Sequence, residues 1–430
     1  MVKIKVNPGF AIKLIYSLCI FLNSYCYFMW DTFNSRLVIK ALTCLSYGSI
    51  VLLFAFMIIW GHGSGKVNIK GFFLLLLCFL LMMHMAFFGK NPQYNIILSD
   101  VFLLLNLITL ILMSGEDGAD IFKFIVKIFA IACLPGVVFF VLSLAGISIP
   151  HGILLSAHAG KQVMGVYYEH YPLGLIIVNP FHPQRYCGIF DEPGVVGTLC
   201  GLLFAGGYKR IDKKWMIILF IEGMFSLSMA FYLLVIVFAI IKCFHAGLHK
   251  LAFLVIFLVI GVSAFMNMEF ENPQLAQLQS RIDLTSIFFV EDNRTTSSYD
   301  YEYKRFLEDG GDALVMGEGR GVIAKTPGMT AAASYRNLIY EYGFVGFGML
   351  IGFIILAYFY YGRSPDSLAF LIVFIASIYQ RPWVFSIEYM TILFTGFAFL
   401  KATEPIPLKE KEEEVKKHAG HKIRFSTTRR

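Results

Sequence analysis

The chain has 430 residues, 57% of them hydrophobic and 15% charged, with a mean hydropathy of +0.68 and a formal net charge of +7. A soluble domain is about 45–50% apolar and about 25% charged, so this composition excludes a soluble globular protein and points to a polytopic helical membrane protein. The positive balance asks for no nucleic-acid partner, because it gathers in short loops such as Lys209-Arg210-Ile211-Asp212-Lys213-Lys214 and in the tail after Lys401, the pattern of cytoplasmic loops.

Apolar runs suited to about 30 Å of hydrocarbon occur at 11–30, 37–60, 71–88, 96–113, 121–145, 193–208, 215–226, 227–241, 251–266, 338–361, 368–379 and 387–400. They predict an all-α polytopic membrane protein of about 12 transmembrane or re-entrant helices. Residues 1–400 read as a single membrane domain, and the mixed-charge stretch 401–430 as a disordered cytoplasmic tail. The first run ends on Tyr27-Phe28-Met29-Trp30, too bulky for signal-peptide cleavage, and reads as a retained span. An inside N-terminus, after Lys3 and Lys5, puts Lys66, Lys70, Lys209, Lys213, Lys242, Lys250 and Arg363 in the cytoplasm together with the C-terminus. Seven of the 8 cysteines lie in or beside apolar runs and none forms a CxxC, so neither a disulfide framework nor a zinc site is supported.

The stretch 215–241 has basic clusters on both flanks. As one helix it would extend about 40 Å, too little to cross and return. Two short tilted or re-entrant segments turning near Ser226-Leu227-Ser228 satisfy both flanks, with the turn buried in protein or lining a wet cavity. A single tilted span would reverse every later segment and send the polar stretch 267–337 to the cytoplasm. Two larger extracytoplasmic loops follow, about 148–192 and 267–337.

On this map the outer face holds Arg36, Arg185, Arg281, Arg294, Arg305, Arg320, Arg336 and Arg381, against only Lys40, Lys90, Lys161, Lys304 and Lys325. Topology alone does not ask for arginines outside. A planar fork of donors suits phosphate and carboxylate, so the set points to an anionic ligand, with ion pairing to loop carboxylates the plainer account of any single member. Gly317-Glu318-Gly319-Arg320-Gly321 is no phosphate loop, since GxxxxGK[ST] is absent; it reads as a tight turn presenting Arg320. The outer-loop histidines His151, His158, His170 and His182 show no metal-binding spacing, and no GxSxG elbow supports hydrolase chemistry.

Asp191-Glu192-Pro193 reads as a helix start, with Asp191 as N-cap, Glu192 in the first turn and proline near the first position. That leaves Arg185 unexplained. The piece Arg185-Tyr-Cys-Gly188-Ile-Phe190-Asp-Glu192-Pro193-Gly194 resembles the R-x-x-G-x-F-x-E-P pattern of the O-antigen polymerases (Wzy-type) of the polymerase and ligase superfamily. Further pieces follow in that family's order. Ser226-Leu227-Ser228-Met229 falls where a Ser-Arg turn is usual, with Met229 replacing the arginine. Arg294 and Gly317-Glu318-Gly319 resemble the large-loop arginine and its G-x-G. Arg336-Asn337-Leu338 and Glu341-Tyr342-Gly343-Phe344-Val345-Gly346 resemble H-N-x-L and E-x-G-x-x-G at the start of a late span, with Arg336 where many members carry histidine. The resemblance covers about residues 180–350.

The resemblance implies a membrane glycosyltransferase at the outer face of a bacterial inner membrane. It would polymerise oligosaccharide repeat units carried on undecaprenyl pyrophosphate into O-antigen or a related surface polysaccharide. Its partners would be those lipid-linked glycans, the bilayer and a chain-length regulator protein. Arg185, Arg294, Arg336 and Arg320 are the expected pyrophosphate ligands, because leaving-group charge needs fixed cations in a site of reduced water. Glu192 is the expected base for the attacking sugar hydroxyl, with Asp191 second. No metal or other cofactor is expected. The alternatives are an O-antigen ligase, passing glycan to lipid A-core, and a polysaccharide flippase, a carrier without chemistry. Glu192-Pro193 and the arginine at 336 favour the polymerase, and the long outer loop disfavours the flippase.

Overall fold

The computed structural model describes residues 8–22, 36–61, 69–90, 97–145, 147, 150–155, 167–170, 177–178, 185–190, 192–269, 276, 279, 296–326, 329 and 334–404. The expected tail and Arg294 lie outside them, apart from the end of the last helix. The architecture is that of an all-α membrane protein, with 6 helices among the described residues long and apolar enough to cross a bilayer. In chain order the helices are α1 (Pro8–Leu22), α2 (Arg36–Ile59), α3 (Ile69–Phe87), α4 (Ile97–Leu112), α5 (Gly115–Leu144), α6 (Pro193–Gly207), α7 (Lys213–Phe225), α8 (Met229–Ala246), α9 (Leu248–Met266), α10 (Ser297–Asp309), α11 (Gly311–Met316), α12 (Arg336–Tyr361), α13 (Pro365–Gln380) and α14 (Ile387–Ala402).

The bilayer-length helices are α2, α3, α5, α8, α9 and α12. The others fall short: α6 has 15 residues and α13 has 16, roughly 22–24 Å at 1.5 Å per residue. One small departure from an all-helical chain is an antiparallel sheet in the first long loop, β1 (Gly152–Leu155), β2 (Tyr167–His170) and β3 (Ile177–Val178) in the order β1-β2-β3.

The core forms around α14. Its residues from Ile387 to Leu400 are buried without exception, as expected of a central helix that is apolar on nearly every side. It packs on α5, α4 and α6. Polar groups at its middle are paired: the Tyr16 hydroxyl donates to Asn106 Oδ1 at 2.6 Å and lies 3.0 Å from Thr391 Oγ1. At the other extreme, α9 buries no residue.

The predicted break in 215–241 is present, but the second segment is not short: α8 has 18 residues and is long and apolar enough to cross a bilayer. Helix α7 ends at Phe225, the chain turns over 226–228 with Leu227 at φ 44, and α8 begins at Met229. Two sets of charges mark opposite ends of the bundle. At one, Lys13 Nζ lies 2.8 Å from Asp117 and 2.7 Å from Asp120, and Asp366 takes both Arg210 (Nε, 3.1 Å) and Lys242. At the other, Arg381 meets Glu192 at 2.9 Å. Helices α6 and α13 therefore run antiparallel, with an ion pair at each end.

Candidate functional site

The motif-bearing segments gather at the Glu192–Arg381 end. The segment 185–190 is a tight turn: Phe190 N–H donates to Cys187 O at 3.0 Å, and Gly188 supplies φ 54, a left-handed conformation cheap only for glycine. Tyr186 anchors it, its hydroxyl donating to Cys133 O in α5 at 2.6 Å and its N–H to Phe225 O at 3.0 Å. Arg185 is buried, and its Nε donates to Ser226 O at 3.2 Å. A guanidinium thus holds the α7–α8 turn. The turn closes through its own serine: Ser226 Oγ donates to Gly223 O at 2.5 Å and accepts from Ser228 N–H at 3.3 Å. Gly197 packs on this turn, where an added Cβ would lie 2.5 Å from Ser228 Cβ. Met229, standing where the resembling family has arginine, is the first residue of α8.

The helix start is shifted by one residue from the sequence expectation. Glu192, not Asp191, is the N-cap of α6, at φ −137 and ψ 135, with Pro193 as first helical residue. Its side chain does not cap. It reaches instead to Arg381, whose terminal nitrogen donates to Oε2 at 2.9 Å. The longer glutamate side chain finds a buried cation where aspartate would fold back onto the first-turn amides. Asp191 itself is outside the described residues. The Arg381 guanidinium also lies over the Trp383 ring, 4.5 Å from its centroid.

Gly317-Glu318-Gly319-Arg320-Gly321 and Glu341-Tyr342-Gly343 form one backbone knot. Helix α12 breaks at Gly343, at φ 65 and ψ 179. The break frees carbonyls that other groups take up: Glu318 N–H donates to Tyr340 O at 2.9 Å, Gly319 N–H to Glu341 O at 3.0 Å, and His84 Nε2 lies 2.8 Å from Tyr342 O. Broken helix at membrane depth is tolerable only when its backbone is re-satisfied in this way. The Glu341 carboxylate accepts from Gly321 N–H at 2.8 Å, and Arg320 pairs with Asp100 of α4. Arg320 is therefore engaged within the fold rather than simply presented from a turn.

Arg336 opens α12 and donates to Asp300 Oδ1 of α10 at 3.0 Å, while its guanidinium lies 5.5 Å from the Tyr303 ring. Burial pushes the Tyr303 phenol up, against the pull of that cation. Asn337 beside it accepts from the Tyr299 hydroxyl at 2.7 Å.

A chain of contacts links these parts. The Ser226 turn holds Arg185, the same segment leads to Glu192, and Glu192 reaches Arg381. From there Tyr379 stacks on Tyr335 at 5.5 Å, and Phe385 meets Tyr342 at 5.0 Å. Arg185, Glu192 and Arg336 are thus joined through α13 and the 383–385 turn. Arg320 sits in the neighbouring knot. Phe190 packs on Phe21 and Phe129, which wall a cavity that also borders Glu388.

Sequence reading missed Arg381 and Asp100 as members of this region. Arg381 was visible as an outer arginine at the end of an apolar run, but no motif carried it. Asp100 is an acid in the first turn of an apolar helix, a placement that the helix dipole alone would explain. Comparison of the chain with protein-family models, with curated proteins and with solved structures finds no match.

Proposed function

We propose that the protein is a polysaccharide polymerase of the bacterial inner membrane. In this reading it has about 12 membrane-embedded helices, both termini in the cytoplasm, and the arginine-bearing end outside. Its substrates are oligosaccharide repeat units on undecaprenyl pyrophosphate. The acceptor sugar's hydroxyl oxygen forms a bond to the donor's anomeric carbon. The bond from that carbon to the phosphate oxygen breaks, and polyprenyl pyrophosphate leaves with the electron pair. Glu192 takes the hydroxyl proton, a contribution typically worth ~10²–10⁴-fold in rate. Arg185, Arg336, Arg320 and Arg294 supply positive charge for the leaving group.

The observation that carries this reading is the convergence of segments far apart in sequence, 185–194, 226–228, 317–321 and 336–343, on one end of the bundle. They are the stretches on which the family resemblance rests: Arg185 joins the first to the second, backbone bonds join the third to the fourth, and Glu192 of the first reaches Arg381 outside them. A carboxylate paired with a guanidinium, with further arginines at the same end of the bundle, suits pyrophosphate departure with proton removal. A ligase would use the same groups on a different acceptor.

Deleting the gene and running the cell's lipopolysaccharide on a gel tests the proposal. The polymerase reading predicts core bearing a single repeat. Bare core with long lipid-linked chains would make the protein a ligase. Loss of all outer-face glycan would make it a flippase, and an unchanged ladder would refute all three.

A further inference from the structure

Arg381 stands outside every stretch on which the proposed reaction was read, yet its guanidinium ends at the head of α6. Its side chain is 5% exposed. One terminal nitrogen donates to Glu192 Oε2 at 2.9 Å, while Nε is buried without a hydrogen-bond partner among the described residues. Gly194 leaves room for the approach: a Cβ there would lie 2.1 Å from that same terminal nitrogen, so a side chain at 194 would push the guanidinium from its place. The Trp383 ring covers the cation.

Arginine does not deprotonate in proteins, so this buried site holds a permanent positive charge. Among the ion pairs of the described residues, Glu192 is the carboxylate that meets it. The Glu192 side chain is 36% exposed, so the nearby guanidinium, and not burial, is what acts on its charge: an opposite charge within about 4–6 Å favours the ionised form. Paired with a fixed guanidinium the carboxylate stays ionised and acceptor-only. The pairing makes Glu192 a weaker base and at the same time guarantees the deprotonated form that a base needs.

We propose that Arg381 is the positioning residue of this site, holding Glu192 ionised and fixed at the head of α6. This rests on Glu192 being the proton acceptor of the proposed reaction, but the pairing itself can be tested without any reaction. The probe is a hydrophobic carbodiimide, which attacks protonated carboxyl groups, applied to purified protein in nanodiscs. Labelling of the Glu192 peptide is read by mass spectrometry in wild type, Arg381→Met and Arg381→Lys. Wild type and Arg381→Lys should label weakly, and Arg381→Met about tenfold more or beyond, the change expected for one unit of proton affinity. Equal labelling of Glu192 in wild type and Arg381→Met overturns the proposal.

Should Arg381→Met not accumulate, the double variant Glu192→Gln, Arg381→Met serves instead. It leaves neither charge unpaired and should accumulate; its failure to do so counts against the pairing. Polymer length in the same strains tests the reaction separately. Loss in Arg381→Met with recovery in Arg381→Lys is expected. Labelling that responds while polymer does not would uphold the positioning role and refute the part given to Glu192 in catalysis.

Discussion

At the scale of single residues, Arg185 and Glu192 stand in one short motif and differ in what they touch. Arg185 donates through Nε to a backbone carbonyl, Ser226 O. Lysine has no donor at that position along its stem and offers a point charge in place of a fork. Arg185→Lys should therefore lose most polymer at normal protein level; full polymer length would reduce Arg185 to a packing role. Glu192 was legible as a conspicuous acid before a proline, but its role was not. A helix start written Asp-Glu-Pro allows either acid to be the N-cap. The choice is made by Arg381, which lies 189 residues away and which no local rule connects to it. Glu192→Gln keeps the shape and removes the proton acceptor. It should cut polymer formation by ~10²–10⁴-fold with insertion unchanged, and normal polymer would refute the base assignment.

Among elements, the break in α12 and the loop at 317–321 are each other's explanation. Gly343 holds φ 65, and a Cβ there would lie 2.2 Å from Val315 O. Gly343→Ala should destabilise the protein by about 1–3 kcal/mol or more through backbone strain, read as a lower melting temperature in detergent. Gly348, on the same helix with open space around it, is the control: Gly348→Ala should be neutral or stabilising by about 0.5–1 kcal/mol. Equal melting of the two variants would dissolve the knot as described. Both halves were visible in the sequence, as a G-x-G and an E-x-G-x-x-G. Their partnership was not, because it is made by backbone amides and carbonyls that carry no side-chain signature. The break between α7 and α8 was legible for the opposite reason. Charge on both flanks and too few residues between them leave few foldings, and α7 with α8 is one of those.

For the whole molecule, α6 and α13 form the frame. Each is too short for a full bilayer, and an ion pair closes each end of the pair: Glu192–Arg381 and Arg210–Asp366. The proposed orientation puts the first outside. A cysteine at Ser297 should then react with an impermeant thiol reagent in whole spheroplasts, and one at Lys213 should not; both positions are exposed. Ser364 would be a poor reporter, since it is buried and its side chain accepts from Ser367 N–H at the start of α13. Labelling at Lys213 alone would invert the map. The central claim, that this chain itself joins diphosphate-linked glycans, is tested most directly with purified protein in nanodiscs given lipid-linked repeat units. Products should lengthen by whole repeats, releasing one polyprenyl pyrophosphate per bond, with wild-type protein and not with Glu192→Gln. Repeat units that stay single with wild-type protein, or that lengthen equally with both, would contradict the claim.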